Sequence, residues 1–302
     1  MPDPQLKSTP SNRQTIFFMV VLSFVCALIL SLLASALSER KEIAKDLDRS
    51  KQMMIAAKIL THAGNFILQD EAGKDIPAKY NPEGYLVPSE EITMATGNEL
   101  LEVYKRRLEP LLVDSSGKIT TFQEAGLKLE NYLTDYKKTG FYKQPLKLIY
   151  AILPNRVEGE GKNIAQPVGY VIPVNGLGLW DAIYGYLALK PDGNTVIGIS
   201  WYDQKETPGL GANIADFPWQ NLFPGKKIFQ ESISGKTDYK TAPIGIAVVK
   251  GRVTDVFGNQ PKSKSAVDGM AGATLTGNGV TDAYRDVLSA YRPFLLKLQE
   301  SK

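Results

Sequence analysis

Three glycine-rich segments are the parts of this sequence best suited to holding a ligand. They are 175–185 (NGLGLWDAIYG), 206–211 (ETPGLG) and 268–279 (DGMAGATLTGNG). Glycine has no Cβ, so the backbone of such a segment can approach a bound molecule closely. Glycine spacing alone is weak evidence, because most segments of this kind are ordinary turns. Other residues must therefore decide whether these three segments bind anything.

The third segment contains two threonines near the expected start of the last helix. Thr276 is positioned to cap that helix, and Thr274 lies just before it. The unpaired N–H groups at a helix start attract phosphate, so a phosphoryl group on or near Thr274 would be stabilised there. From this loop alone, the favoured interpretation is still that both threonines only cap the helix.

The composition excludes most other chemistry. A single cysteine, Cys26, rules out an intrachain disulfide and an all-cysteine metal site. A single histidine, His62, leaves almost no room for a histidine-rich metal site or a histidine-based triad. We therefore expect no catalytic side chain and no metal ligand. The 35 basic and 32 acidic residues are too nearly balanced to favour a nucleic-acid partner.

An uncharged run at 15–37 follows a short N-terminal tail, 1–14. At about 1.5 Å per residue, a helix of this length spans roughly 34 Å, which is enough to cross a hydrocarbon core. The run is longer than a typical signal-peptide core, and charged helical sequence follows it directly. We therefore interpret it as a retained transmembrane helix. Residues 38–145 are predicted to form an amphipathic helix, 39–61, and an accessory region.

The sequence changes character at residue 146, where a second region, 146–302, begins. Short runs rich in Val, Ile and Tyr are bounded by Gly, Pro and Asn, which is typical of strands. Five strands are predicted, at 146–153, 168–174, 184–190, 195–202 and 244–251. Strands with few helices between them indicate an α+β domain with a mainly antiparallel sheet.

Four further helices are predicted around these strands. Two lie in the accessory region, near 90–108 and 121–136, and a third runs from about residue 210 past 219. The last runs from Gly277 to Leu298, with apolar residues on one face. A proline at position 293 should kink or loosen its final turn.

Taken together, the glycine-rich segments resemble the C subunit of the sodium-translocating NADH:quinone oxidoreductases. GLGLWDAIYGYLAL, ETPGLG and DGMAGATLTGNGV occur in the order and approximate spacing of that family. The resemblance is specific over about 146–298 and extends by layout over the rest. It implies a flavoprotein that relays electrons from NADH towards ubiquinone, coupled to sodium export. It also implies assembly with the A, B, D, E and F subunits of the complex.

The resemblance further implies a covalent cofactor and its attachment point. In this family FMN is joined through its phosphate to the last threonine of D-x-x-[S/T]-G-A-T, which corresponds to Thr274. Asp268, Gly272 and Ala273 match the motif, whereas Ala271 stands where serine or threonine is usual. That departure bears on the efficiency of modification, or on a hydrogen bond beside the phosphate, without moving the acceptor. A periplasmic flavin transferase, using FAD and magnesium, is the enzyme expected to form the bond.

The other residues expected to bind the flavin come from all three segments. They are Gly178, Leu179, Trp180, Glu206, Thr207, Gly209, Leu210 and Thr276. A covalent flavin would also account for the scarcity of catalytic side chains. The isoalloxazine performs the electron chemistry, and the protein supplies position, dielectric and exclusion of water.

The charge distribution and the family resemblance predict opposite orientations for the membrane helix. Lys7 and Arg13 precede the helix, whereas five basic residues follow it within 40–51, which by the positive-inside rule places the C-terminal side in the cytoplasm. The family implies the opposite. We predict a single-pass protein of the bacterial inner membrane with a periplasmic soluble domain, since orientation statistics tolerate exceptions and partner subunits can fix one helix.

Two alternative functions remain open from the sequence. The first is the related G subunit of the Rnf complex, which exchanges electrons between ferredoxin and NAD with the same kind of flavin domain. The long accessory region and the GLW and IYGYLAL segments favour the quinone-reductase form. The second is a membrane-anchored scaffold domain that has lost the flavin, which Ala271 favours and Thr274 opposes.

Overall fold

The computed structural model describes residues 11–70, 73–155, 166–234 and 237–300. The chain divides into two units, Met1–Asp48 and Arg49–Lys302. Helix α1, Asn12–Ala56, is 45 residues long. Its segment Asn12–Ser38 has a mean hydropathy of 3.0 and is long and apolar enough to cross a membrane. The predicted membrane helix and the amphipathic helix after it are therefore one continuous helix.

Helix α1 ends a few residues earlier than predicted. It stops at Ala56 rather than near residue 61, because Lys58 adopts a φ of 56°. That left-handed conformation is unfavourable for a residue with a Cβ and cannot continue an α-helix. The residues that precede the stop are well packed within the second unit, where Met53, Met54 and Ala56 are fully buried.

A small antiparallel sheet that the sequence did not predict follows α1. Its strands are β1, Ile67–Gln69, β2, Asp75–Tyr80, and β3, Leu86–Pro88, in that order. The strands are short and polar in part, so they lack the apolar alternation by which a strand is identified from sequence.

Both accessory helices are present but begin later than predicted. Helix α2, Gly97–Arg107, starts at a capping box in which Thr96 and Glu99 satisfy each other's backbone N–H groups. Helix α3, Leu129–Tyr136, follows a turn that Thr121 and Glu124 close through reciprocal hydrogen bonds of 3.1 and 2.9 Å. The capping box fixes the start of α2, whereas α3 begins after Lys128, which makes no side-chain capping hydrogen bond.

The main sheet has six strands in the order β5-β4-β6-β7-β8-β9, and every neighbouring pair is antiparallel. The strands are β4, Leu108–Val113, β5, Ile119–Thr120, β6, Lys147–Ile152, β7, Gly169–Leu177, β8, Ala182–Leu189, and β9, Val196–Asp203. The predicted α+β class and the mainly antiparallel sheet are confirmed. Four of the five predicted strands are β6 to β9.

Helix α6, Thr274–Glu300, lies against β7 and buries the apolar face that its spacing predicts. The buried residues of that face are Val280, Tyr284, Val287, Leu288, Tyr291 and Leu295. The Tyr291 hydroxyl donates a 2.7 Å hydrogen bond to the carbonyl oxygen of Leu148 in β6. The helix continues through Pro293 to Glu300, so the proline does not end it.

Two predicted elements are wrong in form. Of the strand predicted at 244–251, only β10, Ala247–Val248, is present, and it pairs in parallel with β11, Ala266–Val267. Gly245 interrupts the extended chain with a φ of 126°. The Val248 N–H bonds to the Thr281 hydroxyl at 2.9 Å.

The helix predicted from residue 210 past 219 is broken in two. A 3-10 turn, Gly211–Ala215, and the short helix α4, Phe217–Gln220, are separated by Asp216, which is extended with a ψ of 138°. The remaining elements are α5, Val253–Phe257, and two 3-10 turns, Phe141–Lys143 and Pro261–Ser265.

A matched pair of glycine substitutions tests the close contact between α6 and β7. A Cβ at Gly279 would overlap the carbonyl oxygen of Leu177, which is backbone and cannot move away, whereas a Cβ at Gly277 would meet the Val248 Cγ1 methyl at 3.0 Å. We expect Gly279→Ala to lower the free energy of unfolding by about 1–3 kcal/mol. Gly277→Ala should be near neutral, because alanine gains up to about 1 kcal/mol of helix propensity. Urea denaturation of both variants measures this, and equal stabilities would contradict it.

Candidate functional site

The three glycine-rich segments meet at the side chain of Glu206. This residue follows β9 and is 5% exposed. Its Oε1 accepts a 3.0 Å hydrogen bond from the backbone N–H of Trp180, in the first segment. Its Oε2 accepts a hydrogen bond from the hydroxyl of Thr276, in the third segment. One buried carboxylate of the second segment therefore joins all three.

Two glycines make this arrangement sterically possible. A Cβ at Gly178 would overlap Oε1 of Glu206, and a Cβ at Gly211 would overlap the hydroxyl oxygen of Thr276. The glycines of the first two segments thus leave room for the Glu206 carboxylate and its partners. This is close approach within the protein, whereas the sequence predicted close approach to a ligand.

Glu206 is ionised at neutral pH despite its burial. Burial alone raises the pKa of a carboxyl group, because it disfavours the charged form. Hydrogen bonds from the Thr276 hydroxyl and from the backbone N–H groups of Trp180, Leu179 and Asp181 outweigh this effect and lower the pKa of Glu206 below its ordinary value of 4.5. The carboxylate is therefore a permanent negative charge in the site.

The first two segments present apolar side chains to solvent. The Trp180 indole N–H donates a 3.1 Å hydrogen bond to the Thr207 hydroxyl, so this residue is held at both its backbone and its indole nitrogen. It is nevertheless 69% exposed. Leu179 and Leu210 are also exposed. A fixed, exposed aromatic ring with apolar neighbours is a surface on which a planar ring system can stack.

The two threonines of the third segment lie in opposite environments. Thr276 is buried and bonded to Glu206, so the prediction that it caps the last helix is wrong. Helix α6 begins instead at Thr274, three residues before the predicted Gly277. Thr274 is exposed, and within the described residues its hydroxyl has no hydrogen-bond partner. The N–H groups of Thr274, Leu275 and Thr276 likewise have no acceptor among those residues.

The other residues of the threonine motif shape the loop. Asp268 accepts a 2.7 Å hydrogen bond from the Val253 N–H through its carboxylate. It also accepts a 3.1 Å bond from the Trp219 indole through its carbonyl oxygen. Gly272 has a φ of 74°, and a Cβ there would meet Leu210 Cδ2 at 2.8 Å. Ala273 is buried, whereas Ala271 and Gly209 are exposed.

A cleft with a volume of about 410 Å³ lies beside Thr274. The third segment forms one wall and the chain at 248–252 forms another. Lys250 and Arg252 contribute two positive charges to it, and Asn278 adds an amide. The sequence analysis selected neither residue: Lys250 was assigned to the end of the strand predicted at 244–251, and Arg252 lies just beyond that strand. The basic sequence KGR at 250–252 was the available signal.

These residues fit a phosphorylated aromatic cofactor. An accessible hydroxyl and three free N–H groups lie at a helix start, which suits a phosphoryl group. The exposed Trp180 and the leucines near it suit a flat ring system, and the two cations suit an anion. The first two glycine-rich segments also carry the predicted site residues Leu179, Thr207 and Leu210. The Asp268 carboxylate, in contrast, accepts its hydrogen bond from Val253 at the start of α5 and not from Thr274.

Comparison with known proteins assigns the class of this site. Residues 178–289 match the family model of the FMN-binding domain. The chain is 38% identical to the C subunit of the Na(+)-translocating NADH-quinone reductase from Chlamydia caviae, over 98% of this chain and 94% of that protein. It is 31% identical to the Vibrio campbellii protein of the same name, over 96% of both chains.

The fold is also similar to a solved structure. The crystal structure of the C subunit of the Na(+)-translocating NADH-quinone reductase from Parabacteroides distasonis matches with a TM-score of 0.53. The match has 24% identity and covers 86% of this chain and 96% of that one. The fold and the site thus define a protein with an FMN-binding domain. The chain belongs to the family of the C subunits of Na(+)-translocating NADH-quinone reductases.

Substitution of Glu206 by glutamine tests its role in joining the loops. Glutamine keeps one acceptor but turns an N–H group towards either the Trp180 N–H or the Thr276 hydroxyl. We expect Glu206→Gln to lower the free energy of unfolding by about 1–3 kcal/mol near pH 7. Thermal unfolding followed by circular dichroism measures the difference from wild type.

The pH dependence of that difference is a second, stricter measurement. The pKa of Glu206 is lower in the folded chain than its ordinary value of 4.5, so its stabilisation is complete above that value. The stabilisation is lost as the pH falls through the folded pKa. The stability gap between wild type and Glu206→Gln should therefore be constant around neutrality and narrow below about pH 4.5. A gap that stays constant in acid would contradict an ionised Glu206.

Proposed function

We propose that this chain is the covalently flavinylated electron carrier of a sodium-translocating NADH:quinone reductase, with FMN esterified through its phosphate to Thr274. The contrast between the two threonines is the observation that supports this most strongly. Thr274 is exposed and unpartnered among the described residues at the start of α6, whereas Thr276 is buried against Glu206. Only the first of these hydroxyls is open to a modifying enzyme.

The attachment is a phosphoryl transfer from a flavin dinucleotide. The Thr274 hydroxyl oxygen bonds to the phosphorus of the FMN half of FAD, and the bond from that phosphorus to the bridging oxygen breaks. AMP leaves with the bridging oxygen, and the hydroxyl proton passes to a base of the transferase or to water. This chain supplies the acceptor oxygen and the free N–H groups of Thr274, Leu275 and Thr276, which favour the anionic phosphate.

The remaining residues of the site position the flavin. Trp180, Leu179 and Leu210 offer an apolar surface to the isoalloxazine, and Thr207 fixes the Trp180 ring through its indole N–H. Glu206 joins the three loops by hydrogen bonds but is buried. Its role is therefore to fix the positions of the residues that contact the flavin. When bound, the flavin supplies the reversible uptake of two electrons, which no side chain here could provide.

The chain relays electrons from NADH towards quinone within a complex that also contains the A, B, D, E and F subunits. Sodium export is a property of the assembled complex, because the one candidate membrane span of the described residues has no charge within 15–37. Similarity over almost the whole chain to relatives named as the C subunit supports this function over the Rnf-type alternative.

Removal of one hydroxyl tests the attachment point. Thr274→Val takes away the acceptor oxygen at nearly constant volume, on an exposed residue whose hydroxyl bonds to nothing among the described residues. The fold should survive, and covalent FMN should disappear completely. In-gel flavin fluorescence under denaturing conditions measures this, with the chain co-expressed with the flavin transferase.

The matched control is the same substitution two residues further on. Thr276→Val should keep covalent FMN while lowering stability, because it deprives Glu206 of a hydrogen bond. Fluorescence that persists in Thr274→Val, or that is lost only in Thr276→Val, would contradict the assignment.

A reporter fusion tests the proposed orientation of α1. We propose that the domain after the membrane helix faces the periplasm, because the flavin transferase acts there. Alkaline phosphatase fused after Lys302 should be active and a green fluorescent protein fusion at the same position dark. The basic residues that follow the helix favour the reverse orientation. An inactive phosphatase with a bright fluorescent fusion would show that the charge count is right.

A further inference from the structure

Two cations that line the cleft beside Thr274 are not used by the fold. Lys250 and Arg252 are exposed, and among the described residues neither side chain has a hydrogen bond or an ion pair. The backbone around them is fixed, because Gly269 N–H bonds to Gly251 O at 2.8 Å and Val249 N–H bonds to Val267 O at 3.0 Å. The loop is therefore ordered while its two charges are left without a partner.

Several other cations near the domain surface are engaged by carboxylates. Such pairs join Lys205 to Asp181, Lys264 to Glu231 at 2.7 Å and Lys137 to Asp203 at 3.2 Å. The carboxylate in the cleft, that of Asp268, is committed to the Val253 N–H. With Lys250 and Arg252 positive and Asp268 negative, the lining of the cleft has two positive charges and one negative charge, a net charge of +1.

We infer that Lys250 and Arg252 are positioning residues that hold the phosphoryl group on Thr274. This inference rests on the proposed function, since the group is the phosphodiester of the attached FMN. The three free N–H groups at the start of α6 face part of that anion, and the two cations provide charge-assisted contacts from the opposite wall. Arginine can contact two phosphate oxygens at once, whereas lysine acts as a point charge.

The division of the site follows from this placement. The apolar surface of Trp180, Leu179 and Leu210 takes the ring, and the basic cleft, which Thr274 lines, takes the phosphate. Fixing the phosphate on a short ribityl chain limits where the ring can lie, so the cations also restrict the flavin. The ligand class is a phosphodiester, and the contact is electrostatic and sensitive to salt.

The test compares four full-length chains loaded with FMN by the transferase. They are wild type, the neutral variant Lys250→Gln/Arg252→Gln, the charge-conserving variant Lys250→Arg/Arg252→Lys, and the control Lys79→Gln/Lys138→Gln. The control removes two exposed cations outside the cleft. Thermal unfolding shows whether each chain is folded, and single substitutions replace the neutral variant if it is not.

The ³¹P NMR resonance of the attached phosphodiester is the main measurement. In wild type it should shift as sodium chloride is raised, because salt screens the ion pairs. The neutral variant should have a displaced resonance that salt no longer moves, and the charge-conserving variant and the control should resemble wild type. The initial rate of flavin attachment should be about tenfold lower in the neutral variant and within about twofold of wild type in the control.

The outcomes separate this inference from the function on which it rests. Identical phosphorus resonances in wild type and the neutral variant would overturn it, even if the attachment rate falls. That result would mean that the cations contact an acidic surface of the transferase instead. A wild-type chain without flavin on Thr274 would refute the proposed function as well. Flavin on Thr274 with no effect of the neutral variant refutes the inference alone.

Discussion

The hydrogen bonds of one buried carboxylate determine the geometry of this site. Glu206 accepts from the Trp180 N–H and the Thr276 hydroxyl, and these partners are 26 and 70 residues away in the chain. Burying an ionised group is costly unless donors surround it, and here the donors come from two loops other than the one that carries Glu206. If the three loops did not adopt this arrangement, the negative charge of Glu206 would be buried without its hydrogen-bond donors. The glycines at 178 and 211 supply the space that this arrangement needs.

The same interaction gives the two threonines different roles. By binding the Thr276 hydroxyl, Glu206 draws the first turn of α6 inwards, and Thr274 is left on the outside of that turn. Glu206 also fixes the loop that carries Trp180, by accepting a hydrogen bond from its backbone N–H. The Thr207 hydroxyl accepts a second hydrogen bond from the Trp180 indole N–H. Electron transfer here requires no acid or base from the protein, because the site only has to place a cofactor that performs the chemistry.

The sequence predicted what periodicity and local motifs encode. Strands β6 to β9 and the buried face of α6 follow from apolar spacing, and the three loops were found from their glycines. The start of α2 depends on the capping box of Thr96 and Glu99, which apolar spacing does not reveal. The starts of α3 and α6 and the break at Asp216 were also misplaced, because apolar spacing does not mark where a helix begins or is interrupted. The link between Glu206 and Thr276 could not be foreseen, since no local rule relates residues so distant in sequence. Lys250 was missed because it was assigned to a strand that ends at Val248, and Arg252 because only the glycine-rich segments were considered as ligand-binding loops.

The most direct test of this account is to locate the flavin within the wild-type chain. Tandem mass spectrometry of peptides that span 268–279 distinguishes attachment at Thr274 from attachment at Thr276. We expect all the FMN to be on Thr274, because Glu206 keeps the other hydroxyl buried. A substantial fraction on Thr276 would contradict this, since that hydroxyl would then have to leave Glu206 in the native protein. An unmodified peptide from cells that contain the transferase would contradict it equally.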